Sequence, residues 1–253
     1  MKIINLNLWG GIVYEPLIEF INKYSNNVDI FCFQEMTFGE KPQFTPVHKA
    51  RENLFNEISL ILKDFIPYKH ISPSKHFASE GIDFNIGQVI FIRNTIKVKD
   101  SGVFRCYEIL PETTTFGGNQ TGSFQWVDIE IDNEIINVSN LHGLWIKGAD
   151  KTDTPERITQ SKIIKQFFDT KNNKKIFCGD YNLIPDGESI KILEKCGLDN
   201  LIKKYNIKST RSNFYNRELK LGDYILISPE IPVKNFEILQ DQISDHLPLM
   251  LEF

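Results

Sequence analysis

No apolar run in the chain approaches the ~20 residues that span a bilayer, so nothing in it reads as a membrane helix. The opening, MKIINLNLWGG, turns polar early and has no secretory h-region. Cysteine is scarce. Cys32, Cys106, Cys178 and Cys196 form no C-x-x-C pair, and three of them lie inside apolar runs, which reads as buried reduced thiols. These absences together give a cytoplasmic location as the expectation. An excess of positive charge is missing too: the formal net charge is −4, which argues against a dedicated electrostatic nucleic-acid binder but leaves room for an enzyme with a local basic cleft. There is no G-x-S-x-G, no phosphate-binding P-loop and no dinucleotide-binding glycine pattern. Repeats, low-complexity tracts and linkers rich in Pro, Gly and Ser are also lacking, so the reading is one domain over residues 1–253.

What is present is strand. Short apolar runs recur from end to end: KIINLNLW, DIFCFQE, IGQVIFIRN, IKVKDSGVF, GSFQWVDIEID, EIINVSNLH, KKIFCGD, GDYILIS and LPLMLEF. Helical spacing appears between them in EPLIEFINKYS, ENLFNEISLILKDF and TPERITQSKIIKQFFD, the last with Thr154 as N-cap and Pro155 at its first position. EIDNEI predicts a hairpin turning at Asp132-Asn133. Mixed pairing of this kind suits an α/β chain in which two sheets pack on each other with helices outside.

Reactive side chains gather where apolar runs stop. The run ends deliver Asn7, Gln34-Glu35, Asn140 and His142, Asp180 and Asn182, Asp223, and Asp245-His246. Each alone reads as turn chemistry or as a solvated loop start. Jointly they are carboxylates, amides and imidazoles with no cysteine nucleophile, a set that suits a hard, oxygen-liganded cation such as Mg²⁺.

The ordered set LNLWG, FQEM, NLHG, GDYN, GDYILIS and SDHLPL resembles the endonuclease/exonuclease/phosphatase superfamily, from residue 5 to residue 250 and in the family's order. That resemblance implies a DNase I-like two-sheet α/β sandwich with mixed sheets and helices on the outer faces. It also implies hydrolysis of a phosphoester by activated water with Mg²⁺ (or Mn²⁺) as cofactor. Carried over motif by motif, it makes Glu35 the principal metal ligand with Asn7 beside it and Asp245 near the metal. Asp180 becomes the residue that orients or deprotonates water. Asn182 becomes a donor to a phosphate oxygen and His142 a phosphate contact. Asp223 and His246 become a hydrogen-bonded pair. Asn140, Trp145 and Arg157 are expected on the substrate side. The chain departs from nuclease members at Trp9, where they often carry an Asp; N-x-W-G is instead similar to neutral sphingomyelinases, whose membrane-anchoring segments are absent.

The segment after His142 holds Trp145, Lys147 and, at a helix start, Arg157, which either braces the loop or contacts phosphate. Trp145 could stack a base or cover the pocket. The implied partner is a phosphoester substrate, nucleic acid or nucleotide, with no stable membrane insertion and a monomer by default. The competing readings are a lipid or sugar phosphoesterase on the same scaffold, a catalytically inactive binding scaffold, and a nucleic-acid-binding module without catalysis.

Overall fold

The structure, a computed structural model, describes residues 1–46, 49–72, 85–106, 123–146 and 148–253. Alternation along the strands builds two apolar layers. On β1 (Lys2–Asn7), β2 (Ile30–Phe38) and β4 (Asn85–Arg93), the side chains of Ile3, Ile30, Cys32, Ile90 and Ile92 point between the sheets. Their neighbours Ile4, Leu6, Phe31, Phe33, Val89 and Phe91 point outward, beneath Leu17, Phe20 and Ile21 of α1 (Tyr14–Tyr24) and Leu54 and Ile58 of α2 (Leu54–Ile61). Each fully buried Phe, Leu or Ile in such a layer is worth about 1.5–3 kcal/mol.

The second sheet contains β5 (Lys97–Arg105), β6 (Ser123–Ile131), β7 (Glu134–His142), β8 (Lys174–Asp180), β9 (Asp199–Asn200) and β10 (Asp223–Ile227). Its helices, α3 (Pro155–Asp169), α4 (Glu188–Glu194) and the single turn α5 (Leu201–Lys204), add Ile164, Phe168, Ile190, Leu193, Leu201 and Ile202 to the core. The first sheet is completed by β3 (Phe65–Ser72), β11 (Asn235–Ile238) and β12 (Leu249–Glu252). The strand orders are β11-β12-β1-β2-β4-β3 and β5-β6-β7-β8-β10-β9. Both sheets are mixed, as the resemblance implies.

Among the described residues each sheet holds one parallel pair. β1 and β2 are joined through α1, and β7 and β8 through α3. Parallel pairing runs these strands the same way: the last residue of β1, Asn7, lies opposite Gln34 within β2, and the ends of β7 and β8 meet, His142 opposite Asp180. The antiparallel β10 begins at this same lip, with Asp223 opposite Asp180. The sheets are pinned together just below it by buried amides. Gln34 Nε2 donates to Asn140 Oδ1 at 2.6 Å and to Asn5 Oδ1 at 2.8 Å, and Gln88 Nε2 donates to the Asn140 carbonyl at 2.8 Å. Such a network tolerates one alignment of the two sheets, because any slip leaves buried polar atoms unpaired.

The Asp132-Asn133 hairpin forms with φ of 50° and 65°, the left-handed pair that a two-residue turn between twisted strands requires. Thr154 caps α3 by accepting from the Arg157 N–H at 3.3 Å, with Pro155 following. Strands β3, β9 and β11 are not anticipated by the sequence reading. Phe65 was expected to end a helix, but α2 closes at Ile61 and Phe65 opens β3. Pro67 sits in β3 because that strand is a sheet edge, where a missing N–H breaks no ladder. Among the described residues no helix is long and apolar enough to cross a membrane.

Candidate active site

The lip is assembled from the ends of β1, β7 and β8, the start of β10 and a bulge within β2. β2 carries a bulge between Phe33 and Met36, and Glu35 within it adopts φ 53°. The extra residue re-aims the strand, so Gln34 points between the sheets while Glu35 turns to the lip. Asn7 Nδ2 donates to Glu35 Oε1 at 3.0 Å and to Asp180 Oδ2 at 3.1 Å, bridging a carboxylate of each sheet. His142 Nε2 lies 3.6 Å from Glu35 Oε1. At the end of β8, Gly179 has φ 152°, and a Cβ there would lie 2.1 Å from the Leu141 carbonyl oxygen, so only glycine lets β7 and β8 approach and deliver Asp180 to this point.

On the far side of Asp180 lies a second group. Asp223 Oδ1 accepts from His246 Nδ1 at 2.7 Å and Asp223 Oδ2 from Thr210 Oγ1 at 2.7 Å. His246 Nε2 is 3.6 Å from both Asp180 Oδ2 and Asp245 Oδ1 and meets Nη1 of Arg211. Arg211 is 7% exposed. Its Nη2 stands 3.6 Å from Asp180 Oδ1, its Nη1 3.7 Å from Asp245 Oδ2 and its Nε 3.9 Å from Asp223 Oδ2. Behind it the buried Lys151 donates to the Leu219 carbonyl at 2.6 Å, and the Tyr215 ring lies 4.7 Å from both cations. Ser244 Oγ donates to the Asn7 carbonyl at 2.7 Å and ties the last loop to β1.

Burial opposes charge here, and the neighbours decide the outcome. Burial raises the Asp180 carboxyl, but His246, Arg211, His142 and Lys151 together hold it well below the ordinary carboxylate range. Burial pushes the Lys151 ammonium down to about 8, and Arg211 adds to the push. For His246, burial and Arg211 lower the imidazole while Asp223, Asp245 and Asp180 raise it, and the three carboxylates prevail. An imidazolium has no lone pair at Nε2, so the protonated ring and the Arg211 Nη1 contact exclude each other. Because the folded-state pKa of His246 lies above its ordinary 6.5, the stability it contributes is complete below pH 6.5 and is lost as pH rises through the folded value. The melting-temperature gap between wild type and His246→Gln is therefore expected to be widest at mildly acid pH and to narrow as the pH rises through the raised folded value. A gap that widens with pH contradicts this ordering.

Of the residues expected from sequence, the structure brings together Asn7, Glu35, His142, Asp180, Asn182, Asp223, Asp245 and His246. Four of the expectations need correction. Asn7 accepts the Trp9 N–H at its oxygen, at 2.9 Å, and turns its nitrogen to the carboxylates, so in this structure it bridges Glu35 and Asp180 as a donor. Asp180 and Asn182, two residues apart after an apolar run, would face the same way on an extended segment, but β8 stops at Asp180, Asn182 has φ 54°, and its N–H donates to Asp180 Oδ1 at 3.1 Å while its Nδ2 donates to the Gly143 carbonyl at 3.1 Å. The turn and the site are the same object.

Asn140 is 0% exposed, and its amide is engaged by Gln34, the Phe33 carbonyl and the Val89 carbonyl, which leaves it nothing for a substrate. Arg157, 1% exposed, spends its guanidinium on three carbonyls: Leu144 at 3.0 Å, Thr152 at 2.5 Å and Asp150 at 2.7 Å. These three bonds brace the loop. Arg157→Met is expected to cost about 1.5–3 kcal/mol of stability and to leave the Kd for inorganic phosphate unchanged. A selective loss of phosphate binding at unaltered melting temperature would restore the contact role.

Trp145 lies half-buried in the loop after β7, and Lys147 falls outside the described residues. Arg211 and Lys151 were missed. Arg211 stands in STRSNFYN, where neither an apolar run nor a motif marks it, and it reaches the site through a single antiparallel bridge to His246.

The sequence model described as the endonuclease/exonuclease/phosphatase family matches residues 4–246. No curated protein matches the chain in sequence. Among solved structures the chain is similar to the mannosyl-6-phosphatase Bt3783 of Bacteroides thetaiotaomicron VPI-5482, at 17% identity and TM-score 0.69, covering 100% of this chain and 98% of that one. It is equally similar to an endonuclease/exonuclease/phosphatase family protein from Leptotrichia buccalis C-1013-b, at 18% identity and TM-score 0.69, covering 100% and 99%. The human Nocturnin catalytic domain with bound sulfate matches at 17% identity and TM-score 0.67, covering 99% and 92%.

Proposed function

The chain belongs to the endonuclease/exonuclease/phosphatase family, and within it we propose that this protein is a metal-dependent hydrolase that cleaves phosphoester bonds with water activated at Asp180. The observation that carries the reading is the shared amide. Asn7 Nδ2 holds Glu35 and Asp180 at 3.0 and 3.1 Å, with His142 3.6 Å from the first carboxylate and His246 3.6 Å from the second. Two carboxylates drawn together by a neutral donor repel each other, and a hard divalent cation relieves that repulsion. The oxygen donors fit Mg²⁺ or Mn²⁺, and Glu35, with its side chain 26% exposed, is the residue that would hold it. When bound, the ion supplies positive charge to the phosphoryl oxygens as their negative charge grows.

The chain's own groups carry the proton steps. Asp180 stays ionised and accepts a proton from water as the water oxygen bonds to phosphorus and the ester P–O bond breaks. His142 gives the departing oxygen its proton. The amide N–H of Asn182 that is not on Gly143 supports a non-bridging oxygen.

The proposed substrate class is a nucleotide or nucleic-acid phosphoester. Trp9, whose N–H bonds Asn7, and Phe214, three residues past Arg211, pair with ring centroids 6.4 Å apart, and Phe214 is half exposed. Such a pair suits base stacking. A net charge of −4 favours a short ligand over a long nucleic-acid track. A sugar phosphate is the second reading, because the same rings can pack on a sugar's apolar face and one similar structure is a mannosyl-6-phosphatase. Phosphate or product release with Mg²⁺ from single-stranded DNA, RNA, abasic DNA, 5′-phosphotyrosyl DNA, hexose 6-phosphates and sphingomyelin tests the class. Turnover concentrated in the nucleic-acid arms supports it; turnover confined to hexose phosphate or sphingomyelin overturns it.

A further inference from the structure

We infer that Arg211 is the second cation of this site: its guanidinium holds the place between Asp180, Asp223 and His246 that a second divalent ion would otherwise take, so that the enzyme works with one metal ion at Glu35 and one arginine. The inference rests on the metal-dependent reading above and narrows it.

Ligand atoms of Asp180, Asp223 and His246, all buried, lie within 4.8 Å of one another, a spacing that could close on an ion. The guanidinium already stands against the same three residues, with Nη2 3.6 Å from Asp180, Nε 3.9 Å from Asp223 and Nη1 against His246. A divalent ion in that cluster would stand within a few ångströms of a fixed positive charge in a buried setting, and Coulomb repulsion there is severe.

The arginine is built into its place. Gly222 makes the room, since a Cβ there would lie 2.8 Å from Arg211 Nη2. The Tyr215 ring lies 4.7 Å from the guanidinium carbon. On one side Thr210 Oγ1 is bonded to Asp223, and on the other the Ser212 N–H donates to the Asp245 carbonyl at 3.1 Å.

Its hydrogen bonding is also unfinished. Arg51 closes on Glu57 as a fork, with Nη2–Oε1 at 2.6 Å and Nε–Oε2 at 2.9 Å, and Arg157 spends its donors on carbonyls. Arg211 stands among three carboxylates at 3.6, 3.7 and 3.9 Å, all beyond hydrogen-bond length, and its buried Nε has no partner. A structural ion pair between such groups closes to about 2.7–2.9 Å. With Nη1 on His246, the Nη2 held 3.6 Å from Asp180 without closing on it is the donor that a phosphoryl oxygen can take when substrate arrives.

The test is Mn²⁺ stoichiometry on the full chain, by equilibrium dialysis and by electron paramagnetic resonance. Wild type is expected to bind one ion, with no exchange-coupled pair, and to lose it in Glu35→Gln. Arg211→Met is expected to admit a second, coupled ion and to lose kcat by roughly 10²–10³. Arg211→Lys should stay at one ion. Two coupled ions in wild type overturn the inference and leave the metal-dependent reading standing. No bound ion in wild type overturns both. Should Arg211→Met fail to fold by circular dichroism, the wild-type and Glu35→Gln stoichiometries decide the matter by themselves.

Discussion

Asp180→Asn is expected to lose roughly 10²–10⁴ in kcat per folded molecule, the range of a general base. The carboxylate is 2% exposed and is the meeting point of both halves of the site: Asn7 reaches it at 3.1 Å, His246 at 3.6 Å and Arg211 at 3.6 Å. An Asn side chain can still accept from the Asn182 N–H, so the turn survives. Its new NH₂ faces the Asn7 amide, however, where two donors cannot pair. That mismatch is worth about 1–3 kcal/mol of stability. Steady-state hydrolysis and thermal melts on the same preparations separate the two effects. A variant that melts early yet turns over at the wild-type rate per folded molecule would reduce Asp180 to a turn former.

Glu35→Gln is expected to weaken Mn²⁺ binding by at least about 10–100-fold, the loss seen even for residues that only support a ligand, and to raise the metal concentration needed for half-maximal rate in parallel. The substitution preserves size and keeps an oxygen for Asn7 Nδ2, so the bulged end of β2 retains its hydrogen bond. Isothermal titration with Mn²⁺ measures it. An unchanged isotherm removes Glu35 from the metal role while leaving Asp180 as the base.

Period-two alternation separates Ile3 from Ile4 and Cys32 from Phe33, so both apolar layers are readable from the chain. The polar run ends converge because parallel pairing aligns carboxyl ends, which is why Asn7, Glu35, His142 and Asp180 were legible as a group. Depth was not legible. Asn140 shares its strand face with His142 but lies two residues back, about 6–7 Å further into the sandwich, and that step separates a sealed amide from a residue of the lip. Polarity alone does not say whether an arginine's partners are carbonyls or a ligand: Arg157, marked by its helix start, has its donors on carbonyls, and Arg211, which no motif marks, keeps a buried Nε without a partner. No local residue pattern announces the bulge that turns Glu35, whereas the left-handed backbone of Asn182 is the turn chemistry that GDYN allows, closed by its own N–H on Asp180 Oδ1.

Phosphodiester hydrolysis in ¹⁸O-labelled water, by chelator-treated protein before and after Mg²⁺ is restored, tests the central claim most directly. The account predicts no turnover in the chelated wild type and recovery with Mg²⁺. It predicts one ¹⁸O in the released phosphate group and, in Asp180→Asn, recovery only to a rate roughly 10²–10⁴-fold below wild type. Equal turnover with and without Mg²⁺, or restored turnover in Asp180→Asn at the wild-type rate, would contradict it.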